Sequence, residues 1–236
     1  MTGRAGRRLL AEFTGTGVLV AVVVGSGIAA TRLTGDGGLR LLINSLITAL
    51  GLAVLILIFS PAGGAHFNPV VTAADWILDR GYSLTEATAV VACQILGAIG
   101  GAALADVMFA TPALTVSRHH RDGMPLLVSE VVATAGLLLL IVTLARTGRT
   151  QHAAWSVGAW IGAAYWFTAS TSFANPAVTI GRTLTDTYAG IAPASAPAFI
   201  AAQLIGAAIG SSLAVVIHPS LARAQAHADR AAQLTG

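Results

Sequence analysis

The sequence is poor in charged residues, and this shortage excludes most classes of soluble protein. Only 10% of its 236 residues are charged, against roughly 25% in a typical soluble domain. Hydrophobic residues make up 55% of the chain, so a globule of this size could not cover itself with a polar surface. The composition excludes an ordinary soluble enzyme and a disordered chain. It indicates an integral membrane protein.

The chain has one cysteine and no lysine, which limits the disulfides, metal sites and basic surfaces that it can form. The single cysteine, Cys93, permits no disulfide within the chain and no cysteine metal cluster. All 13 basic residues are arginines, scattered along the chain, and the net charge is only +3. Dispersed loop charges are therefore favoured over a nucleic-acid-binding surface. We expect no metal, no cofactor, no enzymatic activity and no nucleic-acid partner.

Six apolar runs approach the ~20 residues that a helix needs to cross a bilayer. They are Leu9–Ala30, Leu39–Phe59, Leu84–Phe109, Leu126–Leu144, Ala153–Ala169 and Ala196–Ile217. Arginines precede the first run, as in a signal peptide, but its length and Glu12 favour a retained span. An even number of spans puts both termini on one side, and the larger share of the arginines favours the cytoplasmic side. The polar tail 219–236 is then cytoplasmic.

Two of the connections between these runs are unsuited to a solvent loop. Pro61–Ile77 and Ser170–Ile180 are too apolar to lie in water, and too short or broken to cross the bilayer. Non-helical backbone at membrane depth is tolerated only inside protein or along a water-filled cavity. Both segments are therefore predicted to re-enter the membrane and turn back.

The chain contains an internal repeat, with three markers in the same order in each half. Glu12 returns as Glu130, Asn68-Pro69 as Asn175-Pro176, and Gln94 as Gln203, at nearly constant spacing. The repeats cover about 9–109 and 126–217 of a single transmembrane domain, 1–236. Because each half contains an odd number of spans, the second half lies upside down relative to the first. This is an inverted-topology repeat.

An Asn-Pro pair at the membrane midplane predicts the start of a short helix, since Asn is a favoured N-cap and Pro a favoured first residue. Helices that begin at Asn68-Pro69-Val70 and Asn175-Pro176-Ala177 would meet end to end, with both positive dipole ends at the centre. The segments 63–67 and 170–174 before them are predicted to be extended, with carbonyl oxygens along a path. Such a path suits neutral, hydrogen-bonding molecules, while the dipoles repel cations. The alternative is that each pair merely starts a buried helix.

Acidic residues inside spans are costly and need an explanation. Glu12 and Glu130 would serve proton coupling in a transporter, or would accept hydrogen bonds from backbone N–H groups of the re-entrant segments. Their symmetric placement in the repeat favours the second, structural role. His66, just before the first Asn-Pro pair, is predicted to hold its loop in place. Asp106, near the end of the third span, is predicted to be solvated at the membrane surface.

The motifs Gly64-Ala65-His66-Phe67-Asn68-Pro69-Val70-Val71-Thr72 and Asn175-Pro176-Ala177 resemble those of the aquaporin family of membrane channels. The resemblance runs from about Leu9 to Ile217. It implies an all-α membrane protein with six transmembrane helices, two re-entrant half-helices and an inverted repeat. It also implies a pore in every subunit and a homotetramer. Residues 170–183 are similar to a bacterial aquaglyceroporin branch associated with arsenic resistance, which implies the inner (plasma) membrane and arsenous acid or methylated arsenicals as cargo.

The chain departs from the family pattern at two positions. Val70 replaces the commonest Ala, and Val178 stands where family members usually carry an Arg that narrows the outer constriction. Counting back without gaps, the resemblance puts the selectivity filter at Thr48, Ala163, Ser172 and Val178, a small, uncharged and therefore wide ring.

Arg182 lies one helical turn beyond Val178, which predicts that the positive charge has moved from the constriction to the outer vestibule. The alternative is that Arg182 pairs with Asp186.

The sequence favours a passive channel for small neutral solutes such as water and glycerol-like polyols. Two other classes stay open. Secondary transporters also use inverted repeats and broken helices, although no titratable residue falls at the Asn-Pro junction. A non-conducting membrane scaffold is the third class, but it would not need two polar motifs at the midplane.

Overall fold

The computed structural model describes residues 3–79 and 81–219. These residues form the α-helices α1 Arg4–Leu33, α2 Gly37–Gly63, α3 Pro69–Leu78, α4 Leu84–Met108, α5 Met124–Arg146, α6 Ala153–Phe167, α7 Pro176–Gly181 and α8 Ala196–Ile217. Single 3-10 turns, Thr150–His152 and Arg182–Leu184, adjoin α6 and α7. The predicted tail 219–236 lies outside the described residues except for Pro219.

The spanning helices coincide with the apolar runs, which confirms the predicted fold class. Five of them, α1, α2, α4, α5 and α8, are long and apolar enough to cross a membrane. The remaining span, α6, has 15 residues and a length of roughly 22 Å. The 3-10 turn Thr150–His152 lengthens it at its start. The short helices α3 and α7 are the two half-helices of the re-entrant segments.

The first re-entrant segment begins later than predicted. Helix α2 continues through Pro61 to Gly63, because a proline near the end of a helix costs less than one in its interior. Gly64 then ends the helix with a φ of 109°, and its N–H donates to the Ser60 carbonyl. A left-handed glycine of this kind is a common helix stop.

Helix packing repeats between the halves. Helix α1 packs against α4 in the first half as α5 packs against α8 in the second, and α2 packs on α6 between the halves. Glycines allow close approach: a Cβ on Gly101 would lie 2.0 Å from the Gly17 carbonyl oxygen, and one on Gly210 would lie 2.0 Å from that of Ala135. Small residues let helices touch backbone to backbone in a membrane.

Asp106 is a correction to the sequence analysis, because it is buried and not solvated. Its side chain is 1% exposed. The hydroxyl of Thr185 donates to its Oδ1 at 2.8 Å, and the hydroxyl of Thr111 donates to its backbone oxygen at 2.9 Å. The Thr185 hydroxyl replaces water at Oδ1, whereas Oδ2 is buried without a hydrogen-bond partner among the described residues. Asp106 thus ties the end of α4 to the segment that follows α7.

The close contact at Gly101 predicts a strong difference between two neighbouring glycines. Gly101→Ala should destabilise the protein by ~1–3 kcal/mol, since the new methyl group would overlap backbone. Gly100→Ala is the matched control, because a Cβ there meets no atom of the described residues within 4 Å. Thermal unfolding in detergent measures both variants, with Gly210→Ala as the equivalent in the second half. Equal stability of Gly100→Ala and Gly101→Ala would contradict the backbone contact.

Candidate functional site: a pore between two half-helices

Two asparagines cap the half-helices and join them to each other. Asn68 Oδ1 accepts from the Val70 N–H at 3.1 Å, and Asn175 Oδ1 accepts from the Ala177 N–H at 2.9 Å. Asn68 Nδ2 donates to the Ala174 carbonyl at 2.8 Å, and Asn175 Nδ2 donates to the Phe67 carbonyl at 2.7 Å. Each half-helix is therefore tied to the loop of the other. An amide nitrogen carries two hydrogens, so one on each remains for a solute.

The loops before the asparagines are not extended, which corrects the sequence analysis. Positive φ angles occur at Ala65 and Phe67 in the first loop, and at Thr171, Ser172 and Ala174 in the second. Left-handed conformations cost non-glycine residues ~1–2 kcal/mol each. In these conformations the N–H groups of successive residues can point to the same side of the loop. The conformational cost is offset by the hydrogen bonds that these N–H groups make.

Buried glutamates bind those N–H groups from behind each loop. Glu12 accepts from the backbone N–H of His66 at 2.8 Å and from that of Phe67 at 2.7 Å. Glu130 accepts from the backbone N–H groups of Phe173 and Ala174, both at 2.9 Å. Both glutamates are fully buried, and neither lines the cavity between the half-helices.

Glutamines complete the two carboxylate networks symmetrically. Gln94 Nε2 donates to Glu12 at 2.8 Å and to the Thr72 hydroxyl at 2.9 Å. Gln203 Nε2 donates to Glu130 at 2.7 Å and to the Thr179 hydroxyl at 2.9 Å. Glu12 thus accepts three hydrogen bonds and Glu130 accepts four, the Ser170 hydroxyl included, so both side chains are held in place as acceptors.

His66 lies on the wall of the same cavity. Its Nδ1 is 3.1 Å from the Thr72 hydroxyl, and its Nε2 is 3.6 Å from an Asp75 carboxylate oxygen that also approaches Arg8. These contacts fix the ring beside the first loop. Among residues 3–79 and 81–219, no group of three or more His, Cys, Asp or Glu side chains comes together to hold a metal ion.

The cavity has a volume of about 610 Å³ and runs past both asparagines. One end is lined by residues such as Ser60, Thr150 and Gln151, and the other by Tyr165 and Arg182. Between them the wall is largely aliphatic, with Leu19, Val23, Leu52, Ile56, Val71, Leu137, Ile141, Val157 and Ile161. Residues 64–68 and 172–175 of the two loops line the same cavity.

At the Arg182 end, three of the four predicted filter residues lie on the wall and one does not. Thr48, Ser172 and Val178 line the cavity, but Ala163 is exposed on the outer surface of the helix bundle. The prediction of Ala163 is wrong: Tyr165 lines the cavity in its place, with its hydroxyl 3.3 Å from that of Thr48. Residues two apart on a helix face opposite sides, so a register error of two positions moves a side chain from pore to lipid.

Arg182 is part of the wall and not an exposed vestibule residue. It is 2% exposed, its Nε donates to the Ala189 carbonyl, and its guanidinium carbon lies 3.4 Å from the centre of the Phe173 ring. The alternative pairing with Asp186 is wrong as well. Asp186 binds Arg118, whose backbone N–H and guanidinium hold the pKa of that carboxyl below its usual value.

Sequence reasoning missed Tyr165, although one signal was available. A tyrosine within an apolar span usually finds a hydrogen-bond partner for its hydroxyl inside the protein. Tyr165 is 2% exposed, whereas its neighbours Trp166 and Phe167 are 51% and 54% exposed. The polar tip separates Tyr165 from Phe167 but not from Trp166, whose indole N–H donates to the Ser45 hydroxyl at 3.0 Å.

Comparisons with known proteins agree with this architecture. The family model of the major intrinsic proteins matches residues 2–171 and 145–236. Aquaglyceroporin AqpS of Rhizobium meliloti is 46% identical over 207 residues, which are 88% of each chain. Aquaporin-2 of Rhizopus delemar is 31% identical over 157 residues, covering 58% of this chain and 49% of its own.

A solved structure shows the same fold. The crystal structure of the aquaglyceroporin from Plasmodium falciparum superimposes with a TM-score of 0.67 at 20% sequence identity, and the match covers 88% of this chain and 94% of that one. At this identity the likeness speaks for the fold alone. Together with the family model and the 46% identity to AqpS, it leads to one conclusion: the chain belongs to the major intrinsic protein family, the aquaporins and aquaglyceroporins.

Proposed function

We propose that this protein is a passive channel for small neutral solutes, water and glycerol-like polyols among them. The observation that carries the proposal is the cavity that passes between two asparagine-capped half-helices. We further propose a homotetramer in the plasma membrane with both termini in the cytoplasm. Arsenous acid or methylated arsenicals are candidate solutes, because residues 170–183 resemble a branch associated with arsenic resistance.

The selectivity filter in this proposal consists of Thr48, Tyr165, Ser172, Val178 and Arg182. Ser172 lines the cavity, and its buried Oγ has no hydrogen-bond partner among the described residues; an unpaired hydroxyl favours a solute that can bond to it. Val178 contributes an apolar face. Hydroxyl groups on an apolar wall suit polyols, which present hydroxyls on one side and carbon on the other.

Cations are excluded by fixed positive charge in two places. The N-termini of α3 and α7 meet at the asparagines with their positive dipole ends, and Arg182 adds a full charge at one end of the cavity. The glutamates that would serve proton coupling accept hydrogen bonds from the loop backbone and from glutamines, and neither lines the cavity. This arrangement favours a channel over a secondary transporter.

The channel is tested by stopped-flow permeability of proteoliposomes to water, glycerol, urea, arsenous acid and methylated arsenicals. A channel gives flux that does not saturate with solute concentration and is independent of a pH gradient. Saturation or proton coupling would instead indicate a secondary transporter, and no flux above empty liposomes would indicate a scaffold.

Val178→Arg should narrow the filter and add a second charge to it. We expect glycerol permeability to fall about tenfold, the effect of ~1.4 kcal/mol on a barrier, while water permeability falls much less. Val178→Leu serves as the control, because it adds side-chain bulk at the same position without a charge. An unchanged ratio of glycerol to water permeability in Val178→Arg would refute the assignment of Val178 to the filter.

Asn68→Ala and Asn175→Ala should each weaken the central barrier. Each variant loses a helix cap worth ~1 kcal/mol and a donor that faces the cavity, so sodium leak should rise and folding yield should fall. Asn44→Ala is the matched control: Asn44 is also buried, and its amide donates to the Val23 carbonyl and the Ser26 hydroxyl, but it is not among the residues that line the cavity. It should lower the yield only. Planar-bilayer conductance measures the leak, and the central barrier is contradicted if all three variants leak alike.

A further inference from the structure

Three consecutive carbonyl oxygens after α7 are each bound by an arginine. Arg121, in the connection between α4 and α5, donates from Nη2 to Tyr188 at 3.2 Å and from Nε to Gly190 at 2.9 Å. Arg182 Nε donates to the carbonyl between them, that of Ala189. The segment 188–190, which we call the carbonyl cradle, thus holds two guanidinium groups side by side.

Both guanidinium groups also face the same aromatic ring. The guanidinium carbon of Arg182 lies 3.4 Å from the centre of the Phe173 ring, and that of Arg121 lies 5.1 Å from it. Phe173 lines the cavity and packs edge-on against Phe199. The negative face of an aromatic ring attracts cations more strongly where water is excluded. The ring therefore helps to keep both charges at this end of the cavity.

The two arginines lack a carboxylate partner within the described ranges. The nearby acids are engaged elsewhere: Asp186 with Arg118, Asp122 with the Ser195 hydroxyl, and Glu130 with its loop. Like charges in a poorly hydrated site repel each other. The arrangement needs oriented dipoles to hold it, and the cradle carbonyls supply them.

The geometry points to Arg121 as a positioning residue for the filter. By binding the carbonyls on both sides of Ala189, Arg121 fixes the oxygen that holds Arg182 against the cavity wall. Arg121 itself does not line the cavity, so it acts on solutes through Arg182. This inference rests on the proposed function, because it assumes that Arg182 takes part in selectivity.

Backbone contacts hold the Arg121 connection in place without its side chain. The Ser117 N–H donates to the Thr183 carbonyl at 2.9 Å, and the Ala192 N–H donates to the His119 carbonyl at 2.7 Å. The Arg121 N–H donates to the Ser195 hydroxyl at 3.1 Å. Removal of the guanidinium therefore releases the cradle but leaves the connection docked, which makes the role testable in a folded protein.

The test is a double-mutant cycle in proteoliposomes and planar bilayers, with Arg121→Gln, Arg182→Leu and the double variant. Sodium conductance and the ratio of glycerol to water permeability are measured for each. Arg118→Gln is the matched control: Arg118 lies on the same connection, but its side chain is 88% exposed and pairs with Asp186.

We expect Arg121→Gln to raise sodium conductance and the glycerol-to-water ratio by about threefold, the change to which ~0.65 kcal/mol corresponds. The same substitution should add nothing in the Arg182→Leu background, and Arg118→Gln should behave as the wild type. An equal effect of Arg121→Gln in both backgrounds would show independent action and overturn the inference. So would a wild-type profile from folded Arg121→Gln.

Two further variants protect the test from a folding defect. Arg121→Lys keeps the charge but bonds poorly to two carbonyls at once, so it should change the same two quantities in the same direction. Gly190→Ala leaves both arginines intact but would bring a Cβ to 2.4 Å from the Thr185 carbonyl oxygen, which displaces the cradle and should mimic Arg121→Gln. If wild-type liposomes show no flux, the proposed channel function fails. If Arg182→Leu changes neither quantity, the assignment of Arg182 to the filter fails, and the positioning role of Arg121 fails with it. If only the Arg121 variants are without effect, the positioning role alone is wrong.

Discussion

The structure depends on one interaction, the capture of loop N–H groups by a buried carboxylate. In a bilayer every backbone polar group needs a partner inside the protein, and a chain that turns back at mid-depth leaves several without one. Glu12 and Glu130 accept these N–H groups from behind the two loops. With the donors bound on that side, the carbonyls are free to face the cavity, and the half-helices can begin at the asparagines. A glutamate suits this position because its two oxygens take several donors at once.

The inverted repeat supplies two copies of this device, and the differences between the copies matter as much as the likeness. Helix α3 has 10 residues, whereas α7 has 6 and continues as a 3-10 turn. This turn begins at Arg182, whose side chain lies at one end of the cavity beside Phe173 of its own loop. The corresponding end of the first half carries His66 and Asp75. The repeated half-helices therefore form the cavity, and the residues that differ between the repeats give its two ends different chemistry.

Much of this arrangement follows from sequence patterns, and the failures have a common cause. The bounds of α8 agree with the apolar run Ala196–Ile217, whereas α1 and α2 extend beyond the runs that predicted them. The N-caps Asn68 and Asn175 follow from local helix chemistry. Ala163 and Asp106 were misplaced because their surroundings depend on residues far along the chain. The face of α6 that meets the pore is set by packing on α2, and the burial of Asp106 depends on Thr185. A gap-free count from the second Asn-Pro pair does not show which face of α6 meets the pore, and the position of Asp106 along its span does not show that Thr185 lies beside it.

A long side chain can place its charge on the wall of a pore from more than one position in the sequence. Valine at 178 removes the usual arginine from the first turn of α7, yet a guanidinium still reaches the wall from Arg182 at the end of the same short helix. A side chain that starts one turn away needs anchors of its own, since it lacks the support that the usual position would provide. Phe173 and the carbonyls of residues 188–190 are such anchors. In the proposed filter, Val178 places an apolar side chain where the arginine usually stands, and Arg182 keeps a positive charge beside it on the same wall. Under that proposal solute size and solute charge depend on different residues, so each can change without the other.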